Sequence, residues 1–139
     1  MEFISSFEHT LDDKGRLALP REYRDAFAEG AVLTLGDKRC IEVYTPAGYR
    51  KMYDRFAAEP PTTLRGRRVR RRFNANSWRV EKDAQGRIQI RKELRELAGI
   101  NGGAVIVAGC GEWLEIWTPE GWQREMEAVM AEFSEVEPE

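Results

Sequence analysis

Residues 10 to 24, TLDDKGRLALPREYR, recur as EKDAQGRIQIRKELR at residues 81 to 95, 71 positions further on. A chain that writes one local pattern twice folds it twice, and must then reconcile two copies of the same hydrophobic face. In each copy an aspartate and an arginine stand four apart around a glycine: Asp12, Gly15 and Arg16, then Asp83, Gly86 and Arg87. Glycine reaches positive φ at little steric cost, so Asp13-Lys14-Gly15-Arg16 and Ala84-Gln85-Gly86-Arg87 are each expected to reverse the chain between two paired short strands. The strand leaving each turn alternates. Leu17 and Leu19 face one way and Arg16 and Ala18 the other, as Ile88 and Ile90 oppose Arg87 and Gln89; this is the period of a half-buried strand.

The likeness continues downstream, with the offset drifting to 73 through a small insertion near Gly102. Ile41-Glu42-Val43-Tyr44-Thr45-Pro46 aligns with Leu114-Glu115-Ile116-Trp117-Thr118-Pro119, and Gly48-Tyr49 with Gly121-Trp122. Two repeats are too few for a solenoid. The expected organisation is a first unit at 1–59, an arginine-rich linker at 60–76 and a second unit at 77–139. Units of this size are marginal alone, so the halves are expected to share a core.

Within the first unit, strands are expected at 3–11 and 16–19, then a short helix opened by Pro20 with Tyr23, Ala26 and Phe27 as its buried stripe. A hairpin of Ala31–Leu35 and Cys40–Tyr44 follows, and Thr45-Pro46 is a helix start, with threonine as cap and proline in the first turn. The second unit repeats the plan: strands at 79–82 and 87–90, a short helix closed by Gly99, a hairpin of 104–108 and 113–117, and a last helix from Thr118-Pro119. Trp122, Met126, Val129, Met130 and Phe133 stripe that helix and are expected to be buried against the sheet or a neighbouring subunit. The acidic end beyond Phe133 is expected to fray.

The net charge of −2 is unevenly distributed. Residues 1–95 hold 21 of the 22 Lys and Arg and a net of +7, whereas residues 96–139 hold Arg124 alone and a net of −9. A polyanion responds to local charge within about a Debye length of ~10 Å, so the basic portion outweighs the total. Its densest stretch is Arg65 to Arg72, six arginines in eight residues. Such a run is a solvated linker or helix face, a phosphate contact, or a partner for the acidic last helix.

Cys40 and Cys110 do not align between the repeats and form no CxxC pair, and His9 has no second ligand at metal spacing; neither a disulfide nor a metal is expected. No apolar run approaches the ~20 residues of a membrane span, and a secretory leader is not expected, so the chain reads as soluble and cytoplasmic.

With both turns, EHTLDDKGRLALP, DAQGRI with RKELRELAGI, and EIWTPEGW in view, the chain resembles the MraZ family, related to the AbrB and SpoVT transition-state regulators. The resemblance covers nearly the full length. It implies an α+β fold: two tandem AbrB/SpoVT-like β-hairpin units in a small double-psi or swapped-hairpin type barrel with flanking helices. It also implies a nucleoid-associated, ring-shaped homo-oligomer that regulates the division and cell-wall gene cluster by binding repeated sites in its own promoter region. Arg91, standing where the first copy has Pro20, is expected to alter the start of the second short helix.

For such a protein the turn suits duplex DNA. Lys14 and Arg16 in one tip, and Gln85 and Arg87 in the other, supply long donors, and arginine can bond guanine O6 and N7 bidentately for roughly 1–3 kcal/mol of discrimination. Asp12 and Asp83 then orient the arginines or the turn, with Gly15 and Gly86 at the reversal. Arg21, Arg24, Arg91, Lys92 and Arg95 are candidates for positioning phosphates. The expected partners are DNA carrying short direct repeats, each too weak alone, and further copies of the chain. No cofactor, membrane or small-molecule substrate is expected.

Three alternatives stand beside this reading. Asp12–Arg16 and Asp83–Arg87 could be turn-stabilising ion pairs only, contributing ~0–1 kcal/mol each. Asp12-Asp13, or GCGEWL at 109–114, could suggest an enzyme, but no nucleophile and base accompany the aspartates, and the glycines lie between strands instead of opening a helix. An antitoxin-like or assembly protein of the same fold would bind a protein partner and make DNA contact secondary.

Overall fold

The computed structural model describes residues 2–134, and the acidic end expected to fray lies beyond them apart from Ser134. The strands are β1 (Ser6–Leu11), β2 (Arg16–Ala18), β3 (Ala31–Leu35), β4 (Ile41–Tyr44), β5 (Ser77–Val80), β6 (Arg87–Gln89), β7 (Gly103–Gly109) and β8 (Leu114–Trp117). The helices are α1 (Pro46–Phe56), α2 (Leu64–Asn74), α3 (Lys92–Leu97) and α4 (Pro119–Ser134). The fold is α+β.

Six strands form one antiparallel sheet in the order β1-β7-β8-β4-β3-β5, and β2 and β6 form a separate two-stranded ribbon. The two strands flanking each turn do not pair with each other, contrary to expectation. β1 pairs with β7, running from Ser6 opposite Ala108 to Leu11 opposite Gly103, while β2 pairs with β6 through Leu17 opposite Ile88. In the second unit β5 pairs with β3 of the first, and β4 meets β8 at the sheet's centre. The halves therefore exchange strands, which is the swapped arrangement among those the resemblance implies.

The physical reason lies in the alternation. Leu17, Leu19, Ile88 and Ile90 are each at most 1% exposed and share one cluster with Ile41, Val43, Leu114 and Ile116 from the sheet. Pairing β2 with β6 brings both apolar rows onto that one core; either hairpin closed on itself would leave a narrow ribbon with little to cover it. Phe3, Tyr23 and Phe27 close one side of this core, with Phe3 stacked on Phe27 at 5.5 Å between centroids.

The Thr-Pro signals act as expected. Thr45 Oγ1 accepts from Gly48 N–H at 2.9 Å and Thr118 Oγ1 from Gly121 N–H at 3.0 Å. The repeat's departure at position 91 also matters. After Pro20 the chain forms a seven-residue 3-10 helix, Arg21–Phe27, whereas after Arg91 it forms the α-helix α3, closed by Gly99 at φ +71°.

Residues 60–76 contain a helix, and the arginine run is α2. Thr63 caps it, its Oγ1 accepting from Gly66 N–H at 3.0 Å, and arginine is a good helix former. Phe73 stacks on Phe56 of α1 at 3.8 Å, so the two helices form a hairpin. Three of the six arginines donate to backbone carbonyls: Arg67 to Pro61, Arg70 to Glu59 and Gly66, and Arg72 to Leu35. Among the described residues Arg68 and Arg71 make no side-chain hydrogen bond or ion pair.

The stripe on α4 is buried along only part of its length. Trp122 packs on Trp117 and is half-buried with Met126 and Val129, but Met130 and Phe133 are 61% and 58% exposed. The helix outruns the sheet beneath it, so its distal apolar positions have no partner within the described chain. Among the described residues no helix is long and apolar enough to cross a membrane.

Candidate nucleic-acid interface

Each turn is built by its aspartate. Asp12 Oδ1 accepts from the backbone N–H of Lys14 (3.0 Å) and Arg16 (2.8 Å), while Oδ2 accepts from Arg16 Nε at 2.7 Å. Asp83 repeats the arrangement, its Oδ1 accepting from Gln85 and Arg87 N–H, both at 2.9 Å, and its Oδ2 from Arg87 Nε at 2.8 Å. A short carboxylate matches the orphan donors of a tight turn, and its second oxygen fixes the arginine stem. Gly15 and Gly86 both sit at φ +77°, where a side chain would be strained.

The tips come together. Arg16 lies opposite Gln89 and Ala18 opposite Arg87 in the β2–β6 ribbon, and Arg87 Nη1 reaches within 3.8 Å of Asp12 Oδ2. Backbone bonds cross between the copies, from Leu19 N–H to Gly86 O at 3.0 Å and from Ile90 N–H to Gly15 O at 2.9 Å. Arg16 and Arg87 remain 29% and 28% exposed, held at one edge and open at the other.

The remaining candidates divide into two groups. Arg24 Nε donates to Leu19 O at 3.2 Å, and its side chain lies over Gly86, where an added Cβ would stand 2.6 Å from Nε. Arg95 mirrors it, donating Nε to Ile90 O at 2.9 Å and covering Gly15, where an added Cβ would stand 2.8 Å from its guanidinium carbon. Arg24 and Arg95 are therefore part of the tips, each laid across the opposite copy's turn. Arg21, Lys14 and Gln85 are exposed; Arg91 stacks over Trp78 at 5.0 Å, and Lys92 lies 3.8 Å from Glu96. Gln89, which sequence reasoning passed over, donates Nε2 to Lys14 O at 2.6 Å. Its outward place in the alternating strand was the available signal.

Electrostatics follow this division. Asp12, Asp13, Lys14 and Arg16 cancel, as do Asp83 and Arg87, so the turns alone are neutral. Arg24 and Arg95 make the paired surface basic. The hydrogen bond from the Arg16 N–H, ahead of the Arg16 side chain, holds the Asp12 carboxyl below its ordinary value of 3.8, and the Arg87 N–H does the same for Asp83. A carboxylate with a depressed folded-state value contributes stability that is complete above its unfolded value and lost as pH falls through the folded one. Asp12→Asn with Asp83→Asn is thus expected to unfold more easily than the parent at neutral pH. The difference should vanish at the acid end of the titration, in circular-dichroism unfolding followed against pH.

His9 is half-buried and packs edge-on to Phe7 at 6.3 Å; burial holds its imidazole below the ordinary value.

Two pseudo-symmetric Asp-x-x-Gly-Arg turns on strand-exchanged hairpin units define a tandem small-barrel protein of the AbrB-like class. Comparison with known proteins agrees. The family described as "MraZ protein, putative antitoxin-like" matches residues 3–72 and again 74–139. The chain is 38% identical over 130 residues to a transcriptional regulator MraZ of Thermomicrobium roseum, covering 94% of this chain and 91% of the relative. It is 36% identical to one of Roseiflexus castenholzii over 95% of this chain and 92% of the relative, and 35% identical to one of Kocuria rhizophila over 99% and 95%. The chain belongs to the MraZ family.

Proposed function

We propose that this protein is a DNA-binding transcription regulator whose paired tips enter a duplex groove and whose copies assemble into a ring on short direct repeats. The observation that carries the reading is the convergence of Arg16, Arg24, Arg87 and Arg95 on one surface through the β2–β6 ribbon. Arg16 and Arg87 read base edges, Arg24, Arg95 and the exposed Arg21, Arg91 and Lys92 position phosphates, and Lys14 and Gln85 add donors at the apices. The named relatives are transcriptional regulators, and the division and cell-wall gene cluster is the target that the family resemblance suggests.

Ring assembly draws support from two complementary surfaces. The distal face of α4 exposes Met130 and Phe133 on an acidic helix, while the α1–α2 hairpin presents Phe56, Leu64, Val69 and Phe73 rimmed by Arg65 and Arg68. Seating one on the other between copies is heterologous and head to tail, which closes into a ring when the rotation permits. Each tip then binds weakly, and multiplicity raises the avidity.

The test is a mobility shift with DNA from upstream of the protein's own gene, with particle mass measured by light scattering. A shifted complex containing a closed homo-oligomer supports the proposal; a monomer that leaves this DNA unshifted overturns it. If Arg68 and Arg71 touch phosphate, Arg68→Ala and Arg71→Ala each flatten the slope of log Kobs against log salt by ~0.9, and an unchanged slope returns α2 to a purely structural role.

The exposed apolar face of α4 also favours a second reading, a partner-binding protein of the antitoxin-like kind. Copurification at fixed stoichiometry with a different polypeptide seated on α4, together with loss of DNA binding in that complex, would select it.

A further inference from the structure

On the face of the sheet turned away from the β2–β6 ribbon, four ligand-type side chains converge: Asp37, Cys40, Glu42 and Glu115, whose Sγ and carboxylate oxygens all lie within 4.8 Å of one another. The strand alternation that sends Ile41, Val43, Leu114 and Ile116 into the core places Cys40, Glu42 and Glu115 on the opposite face. We propose that these four side chains form a binding site for one divalent cation of the zinc class.

Three observations carry this. Glu42 and Glu115 stand directly opposite each other on β4 and β8. Like charges in such register repel, and Glu115 is only 9% exposed, so water does little to screen them.

The second observation is Thr34. It lies opposite Glu42 on β3 and so shares this face, is 0% exposed, and its Oγ1 has no hydrogen-bond partner. A buried hydroxyl without a partner is rare and costly, and this one, in register with Glu42, is available to a water held at the site.

The third is the support around the donors. Trp113 and Trp117 Nε1–H donate to Glu115 Oε2 and Oε1 at 3.0 and 2.9 Å, fixing the carboxylate's plane, as outer-shell donors do at metal sites. Gly36 keeps the space open, because a Cβ there would stand 2.8 Å from Cys40 Sγ and from Glu42 Oε2. One thiolate with carboxylates suits a borderline-soft ion such as Zn²⁺ better than Mg²⁺ or Ca²⁺. Tetrahedral zinc holds its donors about 3.5 Å apart, so binding draws the four side chains closer together.

The test uses the full chain, stripped with chelator and titrated with Co²⁺ alone, then with Zn²⁺ as competitor. The expected result is one equivalent per chain, a thiolate-to-cobalt charge-transfer band that zinc abolishes, and a rise in melting temperature with Zn²⁺. Cys40→Ser should remove the band and Cys110→Ser should leave it. Asp37→Asn, at an exposed position that does not threaten folding, should weaken zinc binding at least tenfold. The absence of saturable uptake by the parent protein overturns the proposal, as does a band that survives in Cys40→Ser, a band lost in Cys110→Ser, or full affinity in Asp37→Asn. The readout needs no DNA, so its outcome is independent of the function proposed above.

Discussion

Arg16→Ala combined with Arg87→Ala is expected to abolish sequence-specific binding to the upstream DNA while fold and oligomer persist. Each arginine–guanine pair contributes ~1–3 kcal/mol of discrimination and each 1.4 kcal/mol is tenfold, so losing two pairs weakens specific binding by roughly thirtyfold or more. Both side chains are more than a quarter exposed and each is bonded mainly to the aspartate four residues before it, so removing them opens no core cavity. The measurement is a competitive mobility shift against non-specific DNA, with light scattering and circular dichroism as controls for assembly and folding. If specific binding is unchanged in the double variant, the tips do not read DNA, and Asp12–Arg16 and Asp83–Arg87 are turn braces alone. Arg24 and Arg95 are unsuitable for this test, because each also covers a turn glycine and donates to a strand carbonyl.

The second large effect is on stability. Ile116 is fully buried at the centre of the sheet, opposite Ile41 across the seam between the repeats. Ile116→Ala removes buried methyl groups from a core that both halves share and is expected to cost ~2–5 kcal/mol. Because β1 pairs with β7 and β5 with β3, the loss should be felt by both repeats together, as one cooperative transition at a lower denaturant midpoint. Two separated transitions, only one of them shifted, would show that the repeats fold independently.

Much of this was legible in the chain. The Asp-x-x-Gly-Arg spacing specifies its own turn, because an aspartate can satisfy the N–H groups two and four residues ahead while glycine takes the positive φ; nothing distant is needed. The Thr-Pro starts and the hairpin of β3 and β4 were readable for the same reason. The arginine run was less so. Its helix depends on a threonine cap and on Phe73 meeting Phe56, and of the two only the cap is local in sequence. The distal half of α4 was legible only as a face that wants cover, because a periodic apolar stripe does not say whether the covering surface is the chain's own sheet or a neighbouring copy.

By itself the sequence determined the two turns, the alternating strands, the capped helices and the separation of charge, all of which rest on contacts within a few residues. Which strand pairs with which was decided only in three dimensions, since β2 and β6 stand 71 residues apart and either hairpin pairing would satisfy the same alternation. The shared core selected the exchange. By that choice it set Arg24 over Gly86 and Arg95 over Gly15, and placed Glu42 against Glu115, arrangements that no spacing along one strand could reveal.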